Sequence, residues 1–468
     1  MKKNVLFLLL CVYVCFGHAQ RVEQTVIRAC AEGAENRIAR LYLEDAITKF
    51  QWKVDEQTID ENGCFQLSVE LSQTQRAFIK IGFYQTYIFL QPGEVYSIVF
   101  DPFDFRIDER INPHRLNQFL SYRFEQPDSN ELNRLIWRFE NMFDDFLVNN
   151  YVDQVTGITR ESYINFRNQI QETFAYSGHG YFNDYKRYAL ADIERLFNIN
   201  SLNTSAILFL NYIQDRPILY NNTAYADFIT EFYSGYFPNQ IRYNRNVFRE
   251  QINRANNLTA IMDSLGRDTT LQNERLREFV FLLGLQEMYS SREFRNSSVL
   301  RLLQDIKSTT KFPEHSELVD FIIQRVQRFD SGIHRANFRF WNPERGTPYD
   351  FSESSKFKYI LFINSLCESC DAEVSILQSI AERFKDTVDF YVVSCDYELN
   401  RALRNRPRNM QNITFLHFNR DFETLERLGI SDYPSAIWLD GENIIQSFHF
   451  QLPSRRAERT IRQLTTPE

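Results

Sequence analysis

Apolar and polar positions change rhythm twice along this chain. From residue 20 to about 110 the apolar residues come in short runs, at Phe65–Val69, Ala77–Ile81, Tyr87–Leu90 and Tyr96–Phe100. Turn-forming residues punctuate them, at Glu61-Asn62-Gly63 and Gln91-Pro92-Gly93. Short strands at regular spacing predict a small all-β sandwich or barrel.

Residues 112 to about 330 follow a helical period instead. Leu132, Leu135, Ile136, Phe139, Phe143, Phe146 and Leu147 share one helix face. So do Tyr185, Ala189, Ile193, Leu196 and Phe197, and then Leu300, Leu303 and Ile306. Leu318, Phe321 and Ile322 begin a last helix. The pattern predicts amphipathic helices with one buried face and shows no fixed-period repeat. Acidic pairs such as Asp144-Asp145 read as solvated helix surface.

From residue 331 the pattern alternates. Lys358–Ile363 is an apolar run suited to a central strand, and Cys370–Phe384 is helical, with Val374, Leu377, Ile380 and Ala381 on one side. Val388–Val393, Thr414–Phe418 and Ala436–Leu439 read as further strands. Asp440-Gly441-Glu442-Asn443 is a hairpin turn into Ile444–Phe450, and Arg455–Leu464 is a closing helix. Such alternation predicts an α/β unit, a sheet covered on both faces.

Composition sharpens this picture. The chain has 468 residues, 43% of them apolar and 24% charged, enough to fill large cores and too apolar for a disordered chain. Its formal charge of −8 argues against a general nucleic-acid-binding surface. The 42 Phe and 24 Tyr read as aromatic core rather than as a stacking platform. Met1–Ala19 pairs Lys2 and Lys3 with the apolar stretch Val5–Phe16, and Gly17 and Ala19 follow as small residues. That is the pattern of a secretory signal peptide cleaved before Gln20. No later stretch is long and apolar enough to cross a membrane. The expected location is the periplasm or cell envelope, where disulfides persist.

Beyond residue 19 five cysteines remain: Cys30, Cys64, Cys367, Cys370 and Cys395. An odd number leaves at least one thiol unpaired or reactive. Cys30 and Cys64 share the β-rich segment and a bridge between them is one option, although spacing alone does not fix their separation. Cys395, at the end of a strand, reads as a small buried apolar residue. Cys367-Glu368-Ser369-Cys370 stands where a strand ends and a helix begins. There two sulfurs can meet across one turn, and the unpaired N–H groups and dipole of the helix favour a thiolate on the first cysteine. A helix start is usually exposed, which favours a reactive pair over a structural disulfide. Zinc is a weaker option, for want of a second CxxC or a paired-histidine spacing. His179 sits in a loop without a visible partner, and no phosphate loop, dinucleotide fingerprint or HExxH is present.

The strand, Cys367–Cys370 and Tyr433-Pro434 in GISDYPSAIWLDGENII together resemble the thioredoxin superfamily, most closely the exported TlpA-like thiol–disulfide oxidoreductases. The resemblance implies a cis-proline at Pro434 facing the dithiol. It implies that backbone beside Tyr433 and Pro434 holds an extended substrate segment. It also implies that Cys367 attacks a client disulfide, Cys370 resolves it and a partner dithiol resets the pair, with no cofactor and no metal. Departures are visible. Leu366 replaces the aromatic residue usual before the first cysteine, and Leu361 stands where a buried acid would aid proton transfer. Glu368, Asp371 and Glu373 are expected to surround the sulfurs with negative charge, keeping the thiol less acidic and the pair reductase-like. Separately, DENGCFQLSVEL with YIFLQPGEVYSIVFD resembles a β-module found at the N-terminus of exported Bacteroidetes proteins.

The chain is thus read as multidomain. The parts are a signal peptide (1–19), an all-β sandwich (20–110), an α-helical region (111–330) and an α/β thioredoxin-like fold (331–468). The expected partners are protein clients bearing thiols or disulfides and a partner reductant, with no nucleic acid. The alternative is a non-catalytic cell-envelope interaction protein on a degenerate thioredoxin-like scaffold.

Overall fold

The computed structural model describes residues 21–103, 105, 118–125, 128, 130–151, 158–197, 204–237, 245–408 and 410–465. Residues 1–19, read above as a signal peptide and holding Cys11 and Cys15, lie outside them.

Nine strands form two sheets at the N-terminal end of the described residues. They are β1 (Glu23–Cys30), β2 (Ile38–Glu44), β3 (Gln51–Thr58), β4 (Cys64–Leu71), β5 (Gln75–Ile81), β6 (Tyr84–Leu90), β7 (Val95–Phe100), β8 (Gln118–Phe119) and β9 (Tyr122–Phe124). One sheet runs β4-β1-β7-β9 and the other β3-β2-β5-β6-β8. The short β8 and β9 fall beyond residue 110 and extend one sheet each. Ile27, Leu41, Leu67, Ile79, Ile81 and Ile88 pack between the sheets in a shared core. Cys30 lies directly opposite Cys64 in the β1–β4 register, and the two form a disulfide with Cα atoms 4.0 Å apart. The open option on these cysteines is thereby resolved.

Helices follow: α1 (Leu132–Tyr151), α2 (Arg160–Thr173), α3 (Gly180–Phe197), α4 (Thr204–Tyr212), α5 (Thr223–Phe232), α6 (Arg245–Glu250), α7 (Leu258–Leu265), α8 (Glu274–Tyr289), α9 (Asn296–Thr309) and α10 (Pro313–Val326). Side-chain caps fix several starts. Asn222, Asn257 and Asn273 each accept the N–H of the third residue of α5, α7 and α8, meeting a donor the helix cannot satisfy itself. The helices are tied to the sandwich. Asn133 of α1, wholly buried, receives the Phe89 N–H at 2.6 Å and donates to the Phe89 carbonyl at 2.9 Å, acting as a strand neighbour for β6. His315 of α10 is equally buried, with Nδ1 2.7 Å from Glu278 of α8 and Nε2 2.8 Å from the Tyr220 hydroxyl. Among the described residues no helix is long and apolar enough to cross a membrane.

The last unit contains β10 (Phe340–Asn342), β11 (Thr347–Tyr349), β12 (Phe357–Ile363), α11 (Glu368–Phe384), β13 (Val388–Ser394), α12 (Leu399–Arg404), β14 (Ile413–His417), α13 (Phe422–Arg427), β15 (Ser435–Leu439), β16 (Ile445–Ser447) and α14 (Ala457–Thr465). Its seven strands are ordered β11-β10-β14-β13-β12-β15-β16. β12, β13 and β14 are parallel, while β15 runs antiparallel to β12. β12 is buried almost throughout, as a central strand between two covered faces requires. Trp438 of β15 stacks between Phe357 and Phe450, with ring centres 5.4 and 5.1 Å away. The strand read at Ile444–Phe450 is shorter, because Phe448 and Phe450 leave the sheet and turn into the core.

Candidate functional site

β12 ends at Ile363, and the chain turns through Asn364, Ser365 and Leu366 into α11. Cys367 is the N-cap residue of that helix and Cys370 lies in its first turn. The sulfurs are bonded to each other, with Cα atoms 5.4 Å apart. Cys370 is 1% exposed and Cys367 7% exposed. The pair is therefore less open than a helix start leads one to expect, and what opening exists belongs to Cys367. The Ser369 hydroxyl is 3.5 Å from the Cys367 sulfur. Glu368 and Ser369 are exposed beside it, as is Asp371 one residue past the pair. Glu373 departs from the expectation. It is buried, and the backbone N–H and hydroxyl of Ser454 both donate to its carboxylate, so it anchors the 453–455 turn to α11.

The Tyr433–Pro434 peptide bond is cis. Phe362 pairs with Ser435 across β12 and β15, which brings Pro434 to the end of β12 where the cysteine turn departs. Pro434 is half-buried. Tyr433 is not a surface residue: it is 4% exposed, with its hydroxyl beside the Cys395 sulfur. Only its backbone is left to border a groove. Cys395 is unpaired and buried, as expected, and burial pushes its thiol well above the usual range. Its N–H donates to the Ile363 carbonyl at 2.8 Å, placing it beneath the same turn.

The sequence reading missed the group that holds this turn. Asp396, 4% exposed, accepts the Ser365 N–H at 3.2 Å and the Ser365 hydroxyl at 2.5 Å on one carboxylate oxygen. Ser394 donates to the other oxygen at 2.7 Å. Arg401 of α12 donates to the Ser365 hydroxyl at 2.9 Å, with the same nitrogen 3.7 Å from Asp396. Asn364 adds a donation to the Cys395 carbonyl at 3.3 Å and accepts the Leu366 N–H at 3.0 Å. A buried carboxylate with several donors and a nearby guanidinium is a stable arrangement, and each bond to charge contributes roughly 1.5–3 kcal/mol. The signal was the polar run Ser394-Cys395-Asp396 closing an apolar strand.

Comparison with solved structures finds partial likenesses. The thioredoxin domain of a thiol-disulfide oxidoreductase from Bacteroides vulgatus is 18% identical, over 29% of this chain and 99% of its own, with a TM-score of 0.26. A thiol:disulfide interchange protein from Bacteroides sp. is 19% identical, over 30% of this chain and 91% of its own, with a TM-score of 0.26. A secreted disulfide oxidoreductase of Mycobacterium tuberculosis is 18% identical, over 23% of this chain and 79% of its own, with a TM-score of 0.21. The first of these is a thioredoxin domain, and each of the three likenesses covers 30% of this chain or less. No family model matches, and no curated protein does.

What the arrangement can do follows from its chemistry. A bonded pair at a helix start is a two-electron store. When reduced, Cys367 would face the N-terminal N–H groups of α11, which favour its thiolate by about 0.3–1 kcal/mol, while Glu368 and Asp371 act in the opposite sense.

Proposed function

We propose that this chain is an exported thiol–disulfide oxidoreductase working through Cys367 and Cys370. The observation that carries this reading is the bonded pair at the head of α11, with its more open sulfur on Cys367. In the reduced enzyme the Cys367 thiolate attacks a client disulfide and forms a mixed disulfide, and one client sulfur leaves with a proton. Cys370 then loses its proton and attacks Cys367. The client departs as a dithiol, and the enzyme keeps the disulfide. A partner dithiol supplies two electrons and two protons to restore the pair. Pro434 and the backbone of Tyr433 border the approach to Cys367. The acids Glu368 and Asp371 support a reductase-like poise. The N-terminal pattern of Met1–Ala19 supports export to the periplasm or cell envelope.

The low exposure of Cys367 favours one competing reading, an envelope interaction protein whose α/β unit is a scaffold. Insulin reduction by the wild type and by Cys367→Ser separates the two. The oxidoreductase reading expects activity that the substitution abolishes, and expects Cys370→Ser to accumulate mixed disulfides through Cys367. Equal rates for wild type and Cys367→Ser would refute it.

A further inference from the structure

A second concavity lies away from the dithiol. It has a volume of about 1020 Å³ and is walled by all three parts of the chain. The sandwich side contributes Tyr42, Lys49, Gln51 and Lys53, α10 contributes Ile323, the turn after it Arg328, and α13 contributes Glu423, Glu426 and Arg427. The stretch after α10 adds Arg335 and Phe338. Its floor is apolar, since Tyr42, Phe338, Leu428 and Phe448 are all buried.

Its charges do not cancel. Lys53 is 2.6 Å from Glu423, and Lys49 is 2.6 Å from Asp227. Glu426 is taken up by Lys80 at 2.6 Å. Three exposed guanidinium groups remain at the rim, those of Arg328, Arg335 and Arg427. Arg328 donates to the Glu426 carbonyl and Arg427 to the Thr424 hydroxyl, and no carboxylate among the described residues pairs with any of the three. A positive rim on a chain of net charge −8 selects for negative partners. The size is at the upper end for small-molecule pockets, which run to about 1,000 Å³, and suits several residues of extended peptide. Gln51, Gln324 and Asn337 add side-chain amides able to pair with peptide backbone.

We propose that this interdomain cleft binds an extended acidic peptide segment of a protein partner. Apolar side chains of the segment settle on the Tyr42–Phe338–Phe448 floor and its carboxylates meet Arg328, Arg335 and Arg427. Leu428 of the cleft stands six residues before Pro434, on the same connection. Gly429 between them, at φ +68°, lies against the ring of Phe329 at the end of the helical region. A bound segment therefore touches the connection that runs on to the cis bond at Pro434.

The test uses the full chain and two fluorescein-labelled octapeptides, one alternating Glu and Leu, the other Lys and Leu. Fluorescence anisotropy should show binding of the first only, weakening as salt is raised. Arg335→Glu with Arg427→Glu should weaken it by about tenfold or more, with the thermal midpoint unchanged, because neither side chain is buried or ion-paired. Arg335→Ala with Arg427→Ala provides a milder second variant, expected to weaken binding in the same direction. Cys367→Ser with Cys370→Ser should bind as the wild type does, so failure of the redox reading leaves this one standing. Equal binding of both peptides, or undiminished binding by folded arginine variants, overturns the proposal. So does capture of dodecanoate without the acidic peptide, which would assign the cleft to a small amphiphile.

Discussion

His417, at the end of β14, is held neutral by what its two nitrogens meet. Asn419 presents an N–H to Nδ1 at 3.1 Å, so Nδ1 must accept and Nε2 carries the hydrogen. Nε2 donates to the Asp396 carbonyl at 2.6 Å. A second proton would set two donors against each other, and burial lowers the pKa below the ordinary 6.5. Near pH 6.5 the unfolded chain takes up a proton that the folded chain refuses, so this contribution is complete above that pH and is lost as pH falls. The urea midpoint should therefore drop between about pH 7 and pH 5, and less so in His417→Gln. Burial raises the pKa of Asp45 and Glu287, which act in the opposite sense at lower pH, so the difference between wild type and variant is the readout. Superimposable profiles would show that His417 does not titrate differently on folding. At this scale the sequence was half legible. The bridge between Cys367 and Cys370 could be read from their spacing, and the cis bond at Pro434 from its context. Asp396 could not, because its importance depends on Ser365 reaching it from the turn after β12, and Tyr433 turns inward beside Cys395, which no local pattern foretells.

Several helices with one buried face could be read from their apolar period. α1, α3, α9 and α10 follow the apolar periods at Leu132–Leu147, Tyr185–Phe197, Leu300–Ile306 and Leu318–Ile322. α8 is buried on nearly every side, from Phe279 through Leu285 to Tyr289, so it has no polar stripe to reveal its period. β3 is missed for the opposite reason: Gln51–Thr58 is a mostly polar edge strand that its neighbours hold in place. Within α8, Gly284 is an exception to helix propensity. A Cβ there would overlap the ring of Phe237, so the close approach of the two segments depends on its absence. Gly284→Ala should cost about 1–3 kcal/mol in overpacking, although alanine favours helix by about 1 kcal/mol elsewhere. Denaturant unfolding measures it, and a gain in stability would mean that the Phe237 ring moves aside freely.

Across the whole molecule, the sandwich and the α/β unit meet through α13. Lys80 reaches Glu426 and Lys53 reaches Glu423, while Phe83 packs edge-on against Phe422 with ring centres 4.6 Å apart. Arg37 lies 4.3 Å over the ring of Tyr397. None of this was legible, since partners separated by more than 300 positions leave no periodic trace. Lys80→Glu sets like charges together at this contact. It should expose the stretch after α10 to faster proteolysis, corresponding to a loss of about 1 kcal/mol, and Glu426→Lys added to it should restore resistance. An unchanged cleavage rate would mean that the pair contributes nothing to docking. Sealing Cys395 beneath the cysteine turn carries a consequence in time. In oxidising surroundings the Cys395 thiol is protected only once β12, β13 and β14 have joined. The hazard of wrong bridges is thus confined to the newborn chain, and whatever speeds closure of that sheet also guards the pairing of Cys30 with Cys64 and of Cys367 with Cys370.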